Sequence, residues 1–315
     1  MSLIPSRIKP APKSRRAPIE PLTKLLAVCL AVSSMPAAEL TIDHVTVAGQ
    51  NLEAMRAALK AQGIHTEYGG PHNNHATEMA LASFHDGSYL ELIAIQPKAD
   101  QSAVNAHPWS KALKNNGGPC AFAVRASGDM GQEAARLKAA GFDLSEPERA
   151  GRTRPDGVKI EWETADISSG PRGSFFPFLI RDITPRVNRA YPTGKLTTEK
   201  YRGVSKVILG VQDLDAAVAK YRRAYDLPEP RRQQDSEWKA NLAYFEGTPI
   251  ILAQPLTSDS WLSRRVSEYG DGPCAFVLLA KGGISAESVS RWFGGYISWF
   301  DSARLGWHLG MEPSK

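Results

Sequence analysis

The chain has few of the features that staple or anchor a protein. Of its 315 residues only three are cysteines, Cys29, Cys120 and Cys274, too few for a disulfide framework or a zinc-type cysteine pairing. Long hydrophobic runs are missing: residues 25–32 are apolar throughout but too short for a stable membrane anchor. A real excess of charge is missing as well. The formal net charge is +5, yet residues 1–38 hold six basic side chains against Glu20 alone, which accounts for all of it. The remainder is close to neutral, so a basic pI is no argument for nucleic acid. No phosphate-binding glycine loop and no supportable Ser-His-Asp spacing occurs.

What the N-terminus does contain is an ordered set of targeting features. A basic, Pro-rich stretch leads into Leu25-Leu26-Ala27-Val28-Cys29-Leu30-Ala31-Val32, followed by small residues up to Ala38. Charge, a short apolar core and small residues in that order describe a secretory signal peptide. Residues 1–38 are therefore read as a signal peptide, with a disordered cytoplasmic tail as the alternative. Export implies a periplasmic or secreted protein.

Beyond that segment the chain repeats itself. Val47-Ala48-Gly49-Gln50-Asn51-Leu52-Glu53-Ala54 returns as Leu209-Gly210-Val211-Gln212-Asp213-Leu214-Asp215-Ala216, and Gly118-Pro119-Cys120-Ala121-Phe122 returns as Gly272-Pro273-Cys274-Ala275-Phe276. Asn51 and Asp213 suit helix caps, with apolar residues at helical spacing through Leu59 and Tyr225. Alternating strand-like runs follow, Glu78–Phe84 and Tyr89–Ile95 in the first copy. Each unit reads as βαβββ, and four units start near Leu40, Pro119, Val204 and Pro273. In the compressed fourth unit the helix is expected at Ala286–Phe293 and the last strand at Gly306–Gly310. Cys120 and Cys274 occupy equivalent positions and are expected as unpaired core residues.

Two strand-like runs carry a metal-competent side chain each: His44 in Thr41–Val47 and Glu91 in Ser88–Ala94. A carboxylate inside such a run is expensive to bury unless something pairs with it.

The order and spacing of Ile42-Asp43-His44-Val45, Gly69-Gly70-Pro71-His72-Asn73-Asn74-His75-Ala76-Thr77 and Gly87–Ala94 resemble the glyoxalase/bleomycin-resistance/dioxygenase superfamily, also called vicinal oxygen chelate proteins. Gly151-Arg152-Thr153-Arg154-Pro155-Asp156-Gly157 with Trp162, and Phe176–Ile180, extend the likeness. It is clear over residues 40–190 and faint over 203–310. The resemblance implies an α+β fold in which paired βαβββ modules form an open eight-stranded cup, followed by a second, degenerate copy. The expected domains are 39–190 and 203–315, joined by a linker at 191–202 rich in Pro, Thr, Gly and Lys.

Carried over residue by residue, His44 and Glu91 match metal ligands on the first and last strands of module one. In module two the matching positions fall at Ala121 and at or near Pro177, which have no donor side chain. The third ligand is then sought in the loop, at His72 or His75. Such a two-His, one-carboxylate set suits Fe, Mn, Zn or Ni. His72 lies four residues before Ala76-Thr77, where relatives have Gly-Thr. Arg152 and Arg154 are candidates to clamp a substrate anion, with Asp156 holding one of them; a loop stapled by its own Arg–Asp pairs is the competing reading. Trp162 and Phe178 are candidate cup walls. In the second half Lys206 stands where His44 stood, and no carboxylate answers Glu91; that half is read as a brace or dimer-like surface.

These readings support a metal-assisted enzyme of isomerase, dioxygenase or lyase type acting on a small molecule. A metal-free sequestering protein and a structural partner-binding protein are the rivals, and a homodimer is open. The export reading is tested by fractionating the native host. The mature chain is expected outside the cytoplasm, beginning near Glu39; a cytosolic chain retaining Met1 would remove the idea.

Overall fold

Four copies of one strand–helix–strand unit account for nearly every element. The computed structural model describes Met1 and residues 40–314, apart from Ser127, Pro155, 168–169 and 283–287; the segment read as a signal peptide, Met1 apart, lies outside the described residues. The first module comprises β1 (Ile42–Gly49), α1 (Leu52–Ala61), β2 (Glu67–Pro71), β3 (Thr77–Ser83) and β4 (Tyr89–Ile95). Two short helices, α2 (Gln101–Ala106) and α3 (Ser110–Lys114), lead to the second. It comprises β5 (Gly118–Arg125), α4 (Met130–Ala139), β6 (Glu148–Thr153), β7 (Lys159–Ala165) and β8 (Phe178–Asp182), with α5 (Arg186–Ala190) after it. The third has β9 (Tyr201–Gly210), α6 (Leu214–Tyr225), β10 (Arg231–Asp235), β11 (Ala240–Tyr244) and β12 (Ile250–Pro255). After α7 (Trp261–Tyr269) the fourth has β13 (Gly272–Ala280), β14 (Ser288–Trp292), β15 (Gly295–Trp299), α8 (Ser302–Leu305) and β16 (His308–Pro313).

The fourth module corrects one expectation. Residues 288–292 form a strand, not the end of a helix, hydrogen-bonded antiparallel to β15 from Ser288↔Trp299 to Trp292↔Gly295. The alternation Ser288-Val289-Ser290-Arg291-Trp292 buries Ser290 and Trp292 and exposes the residues between them, the period of two that a sheet edge requires. Ala286 and Glu287 lie outside the described residues.

The modules pair into two eight-stranded sheets, in the orders β2-β3-β4-β1-β5-β8-β7-β6 and β10-β11-β12-β9-β13-β16-β15-β14. The first strands of paired modules lie side by side at the centre, antiparallel, and each pairs in parallel with its own module's last strand. Capping fixes where the helices start: Asn51 accepts from the Ala54 N–H and Asp213 from the Ala216 N–H.

Strand alternation divides the side chains of each sheet. Val45, Val47, Leu90, Leu92 and Phe122 of the first sheet share one apolar core with Val207, Leu209, Leu252 and Phe276 of the second. Helix α6 joins that core through Tyr221 and Tyr225, which pack edge-on or tilted against Phe175 and Phe176, and the Tyr221 hydroxyl donates to the Phe175 carbonyl at 2.6 Å. Arg265 from α7 donates to the carbonyls of Gly117, Pro119 and Pro273, tying the starts of β5 and β13 together. Cys120 and Cys274 are free. Among the described residues no helix is long and apolar enough to cross a membrane.

Gly173 is a tight point of the first cup. Its φ is +67°, and a Cβ there would lie 2.9 Å from the Phe178 ring, 3.0 Å from Ala121 Cβ and 3.0 Å from the Phe122 carbonyl. At Gly157 φ is +86° but the surroundings are open. Gly157→Ala is expected to cost only the left-handed backbone term, about 1–2 kcal/mol. Gly173→Ala adds a clash and should cost clearly more. Urea denaturation of the two variants checks the order.

Candidate functional site

The concave face of the first sheet encloses a cavity of about 340 Å³, lined on one side by His44, His72 and Glu91. His44 owes its position to a bulge. Along β1 and β5, Ile42 pairs with Val124 and His44 with Ala123, so Asp43 is an extra residue in the ladder. Bulges re-aim side chains where they occur. Here the Asp43 and His44 side chains meet: His44 Nδ1 lies 2.7 Å from Asp43 Oδ1. The imidazole is held flat against the Tyr89 ring, with centroids 4.8 Å apart and planes within 1°, and edge-on to Phe178.

Asp43 is fully buried and could not stay ionised alone. Arg189 donates to both of its oxygens, at 2.9 and 2.8 Å, and Arg186 reaches it as well. Burial works to raise the Asp43 carboxyl, but the Arg189 charge and the hydrogen bonds from His44 and Arg189 outweigh it and hold the group well below the usual carboxylate range. An ionised Asp43 can only accept, so the hydrogen bond fixes the proton of a neutral His44 ring on Nδ1 and leaves the lone pair on Nε2, on the Glu91 side. A carboxylate behind a histidine in this way is the usual support of a metal-binding imidazole.

Glu91 stands on β4 beside Thr46, whose hydroxyl donates to Oε2 at 3.1 Å. The carboxylate is nearly buried, and its ion-pair neighbours within 4.0 Å are imidazoles: His44 Nε2 at 4.0 Å from Oε2 and His72 Nε2 at 3.8 Å from Oε1. His72 arrives from the loop between β2 and β3, its Nδ1 placed 2.8 Å from the Thr77 hydroxyl. Burial pushes the His72 pKa down; Glu91 opposes this and Arg152 reinforces it. The ring is thus kept neutral at pH 7, as a metal ligand must be.

Two nitrogens and a carboxylate are a suitable donor set for a borderline divalent ion. Tetrahedral donors about 2.1 Å from an ion stand ~3.4 Å apart, and the observed gaps of 4.0 and 3.8 Å are wider than that. Among the described residues no group of three or more His, Cys, Asp or Glu side chains is placed to hold a metal ion as it stands. Binding at His44, His72 and Glu91 would require these side chains to close inward.

The remaining candidates divide. Arg152 lines the cavity, buried, with Nη1 donating to the Gly69 carbonyl at 2.8 Å and Nη2 buried without a hydrogen-bond partner. Trp162 and Phe178 also line it. His75 does not: it is exposed, in the left-handed region at φ 56°. Arg154 and Asp156 also lie outside the cavity. Arg154 pairs with Asp156 and donates to the Asn188 and Tyr191 carbonyls.

Module two supplies no donor. Thr46 pairs with Glu91 in module one and Ala123 with Phe178 in module two. With Ala121 at the place of His44, Phe178 rather than Pro177 answers Glu91, and it contributes a ring to the wall. Several lining residues escaped the sequence reading. His107 and Trp109 come from the connection between modules, where no repeat drew attention to them; Arg172 lies over the Phe178 ring at 4.2 Å, and Arg189 is on α5. The His107-Pro108-Trp109 turn was the available signal. His107 Nδ1 accepts from the Trp109 N–H at 3.2 Å, so in its neutral form the proton sits on Nε2. Burial and then the His72 charge push its pKa down to about 4.

Comparison with known proteins adds a family. A family model described as a glyoxalase-like domain matches residues 42–225. The crystal structure of a hypothetical protein from Staphylococcus aureus is similar over 87% of this chain and 100% of its own, at 13% identity and TM-score 0.58. A 4-hydroxymandelate synthase mutant from Streptomyces coelicolor is similar over 89% of this chain and 92% of its own, at 13% identity and TM-score 0.52. These two likenesses concern the fold. Among curated proteins none matches by sequence.

The buried Asp43 makes a pH prediction. Its folded pKa is depressed, so the stability it confers is present above the unfolded value of about 3.9 and is lost as pH falls through the lower folded value. Asp43→Asn is expected to destabilise the protein by about 3 kcal/mol at pH 7 and to flatten the acid limb of stability against pH. Denaturant melts between acid and neutral pH measure both.

Proposed function

The chain belongs to the glyoxalase-like domain family, within the vicinal oxygen chelate superfamily, and we propose that its first cup is a divalent-metal-assisted enzyme site for a small, oxygenated, anionic molecule. The observation that carries this reading is the convergence of His44 Nε2 and His72 Nε2 on the two oxygens of Glu91 at 4.0 and 3.8 Å, with both Nδ1 atoms held from behind. Fe, Mn, Zn or Ni suits those donors. Such an ion, when bound, polarises a substrate carbonyl or enolate oxygen.

The chain's own groups do the rest. Arg152 lines the cavity and keeps a buried Nη2 without a partner, which a substrate carboxylate or similar anion would satisfy. His107 offers a proton at Nε2. Its depressed pKa keeps it from carrying a charge at neutral pH, so it serves as a hydrogen-bond donor to a polar oxygen. Trp109, Trp162 and Phe178 form an apolar wall that excludes water and fits a carbon skeleton of modest size. The reaction class, whether isomerisation, oxygenation or lyase chemistry, depends on the substrate's own bonds.

A metal-free sequestering protein is the second reading, favoured by the donors that module two lacks. Metal analysis of protein purified without chelator or tag metal separates the two. In the enzyme reading Glu91→Gln is expected to lower metal affinity by at least about 10–100-fold, and His44→Ala should not add to it independently, since both act through one ion. A wild-type protein that takes up none of the four metals, yet binds a small anion, decides for sequestration.

A further inference from the structure

The second cup is built on a sheet of the same strand order but lined with different chemistry. Lys206 takes the place of His44, pairing across the ladder with Val277 as His44 does with Ala123, and is tied to Glu312 at 2.9 Å. Ile251, opposite Ile208, takes the place of Glu91. The metal-competent donors are gone, and four tryptophans gather on this face.

Trp238 is the hub. Its ring stands at 78° to Trp261 and at 40° to Trp299, with centroids 4.9 and 4.7 Å away, and behind it at 81° to Trp292. Trp261 stacks on His308 at 4.0 Å. Trp292 and Trp299 are pinned by their indole N–H groups, which donate to Asp235 at 2.7 Å and to Ser290 at 2.9 Å. The rings therefore present faces in fixed and differing directions. Trp238, Trp261, Trp299 and His308 line a cavity of about 350 Å³ whose charged lining residues are Glu237 and Asp301, with no lysine or arginine. Asp301 is committed to capping α8 and to Arg304; Glu237 is exposed at the rim. Burial pushes His308 down to about 4, so it brings no positive charge at neutral pH. Among the described residues that line this cavity none gives an anion a cationic partner; Lys206 is not one of them and is paired with Glu312.

We propose that the second cup is a separate binding site for a small quaternary ammonium compound, its trimethylammonium head packed against Trp238, Trp261 and Trp299 beside the carboxylate of Glu237. Such a head has no N–H to satisfy, so ring faces and one nearby negative charge meet its needs where a primary ammonium would lose its hydrogen bonds to water. Tryptophan is the strongest aromatic partner for a cation, and desolvation inside a cup increases the attraction. The site is independent of the metal reading of the first cup, since it shares no residue with it.

The test uses the full chain and choline as the probe, read by tryptophan fluorescence and calorimetry. The comparison ligand is the uncharged isostere of choline in which carbon replaces the nitrogen. Choline is expected to bind at least about tenfold more tightly than the isostere, and Trp261→Ala to weaken it about tenfold. Glu237→Gln, an exposed position that leaves packing intact, should weaken it by a smaller factor. Trp162→Ala, in the first cup, should leave choline binding unchanged. Equal affinity for choline and its isostere, no saturable binding, or loss in Trp162→Ala instead of Trp261→Ala would each overturn the proposal.

Discussion

The first cup depends on one buried ion pair, the clamp of Arg189 on Asp43. Without Arg189 the carboxyl would have only Arg186 as a cationic partner against its burial, its hold on the His44 Nδ1–H would weaken, and the ring's tautomer would be less firmly set. The pair does more than orient one imidazole. Arg189 also donates to the Tyr89 hydroxyl at 2.7 Å and to Asp182 on β8, so the same guanidinium sets the ring on which His44 lies and ties module one to module two. Buried pairs are weak as sources of stability, because desolvation offsets much of the attraction. Their value here is geometric: they permit one arrangement of the site floor.

The two cups show how little the βαβββ frame constrains chemistry. Strand order and pairing are the same in both. At matched register points, however, one cup carries His44 and Glu91 and the other Lys206 and Ile251. The first cavity is lined by three arginines with two glutamates; the second by two carboxylates and no basic side chain except a neutral histidine. A duplicated frame thus presents surfaces of opposite electrostatic character, each with its own aromatic walls. Fold alone assigns neither a function.

Much of the frame was legible from local signals. The repeats of Gly-Pro-Cys-Ala-Phe and of the Asn51 and Asp213 caps placed the central strands and the helices that cross them, because caps and alternation are short-range properties. The fourth module failed for the same reason: Ser288–Trp292 lacks its own strong signal, and its pairing with β15 settles the matter. In the site, His44 and Glu91 were readable because charged groups in strand-like runs stand out. Choosing His72 over His75 needed the turn at φ 56°. Separating Arg152 from Arg154 needed α5, whose carbonyls capture Arg154. His107 was invisible to repeat logic because it lies in a connection outside the repeated units.

The aromatic packing of α6 on the Phe175-Phe176 pair carries a consequence for how such a chain can be inherited. Helix α6 belongs to module three by repetition, yet Tyr221 and Tyr225 cover side chains of module two. The unit that repeats and the unit that excludes water therefore have different edges. A recombination event that exchanged the second cup at the joint between the halves would bring a foreign α6 against an unchanged Phe175-Phe176 pair. Only partners with a matching helix face would be tolerated. The lining of the second cup can change without disturbing this contact, while the back of its first helix is bound to the history of its neighbour.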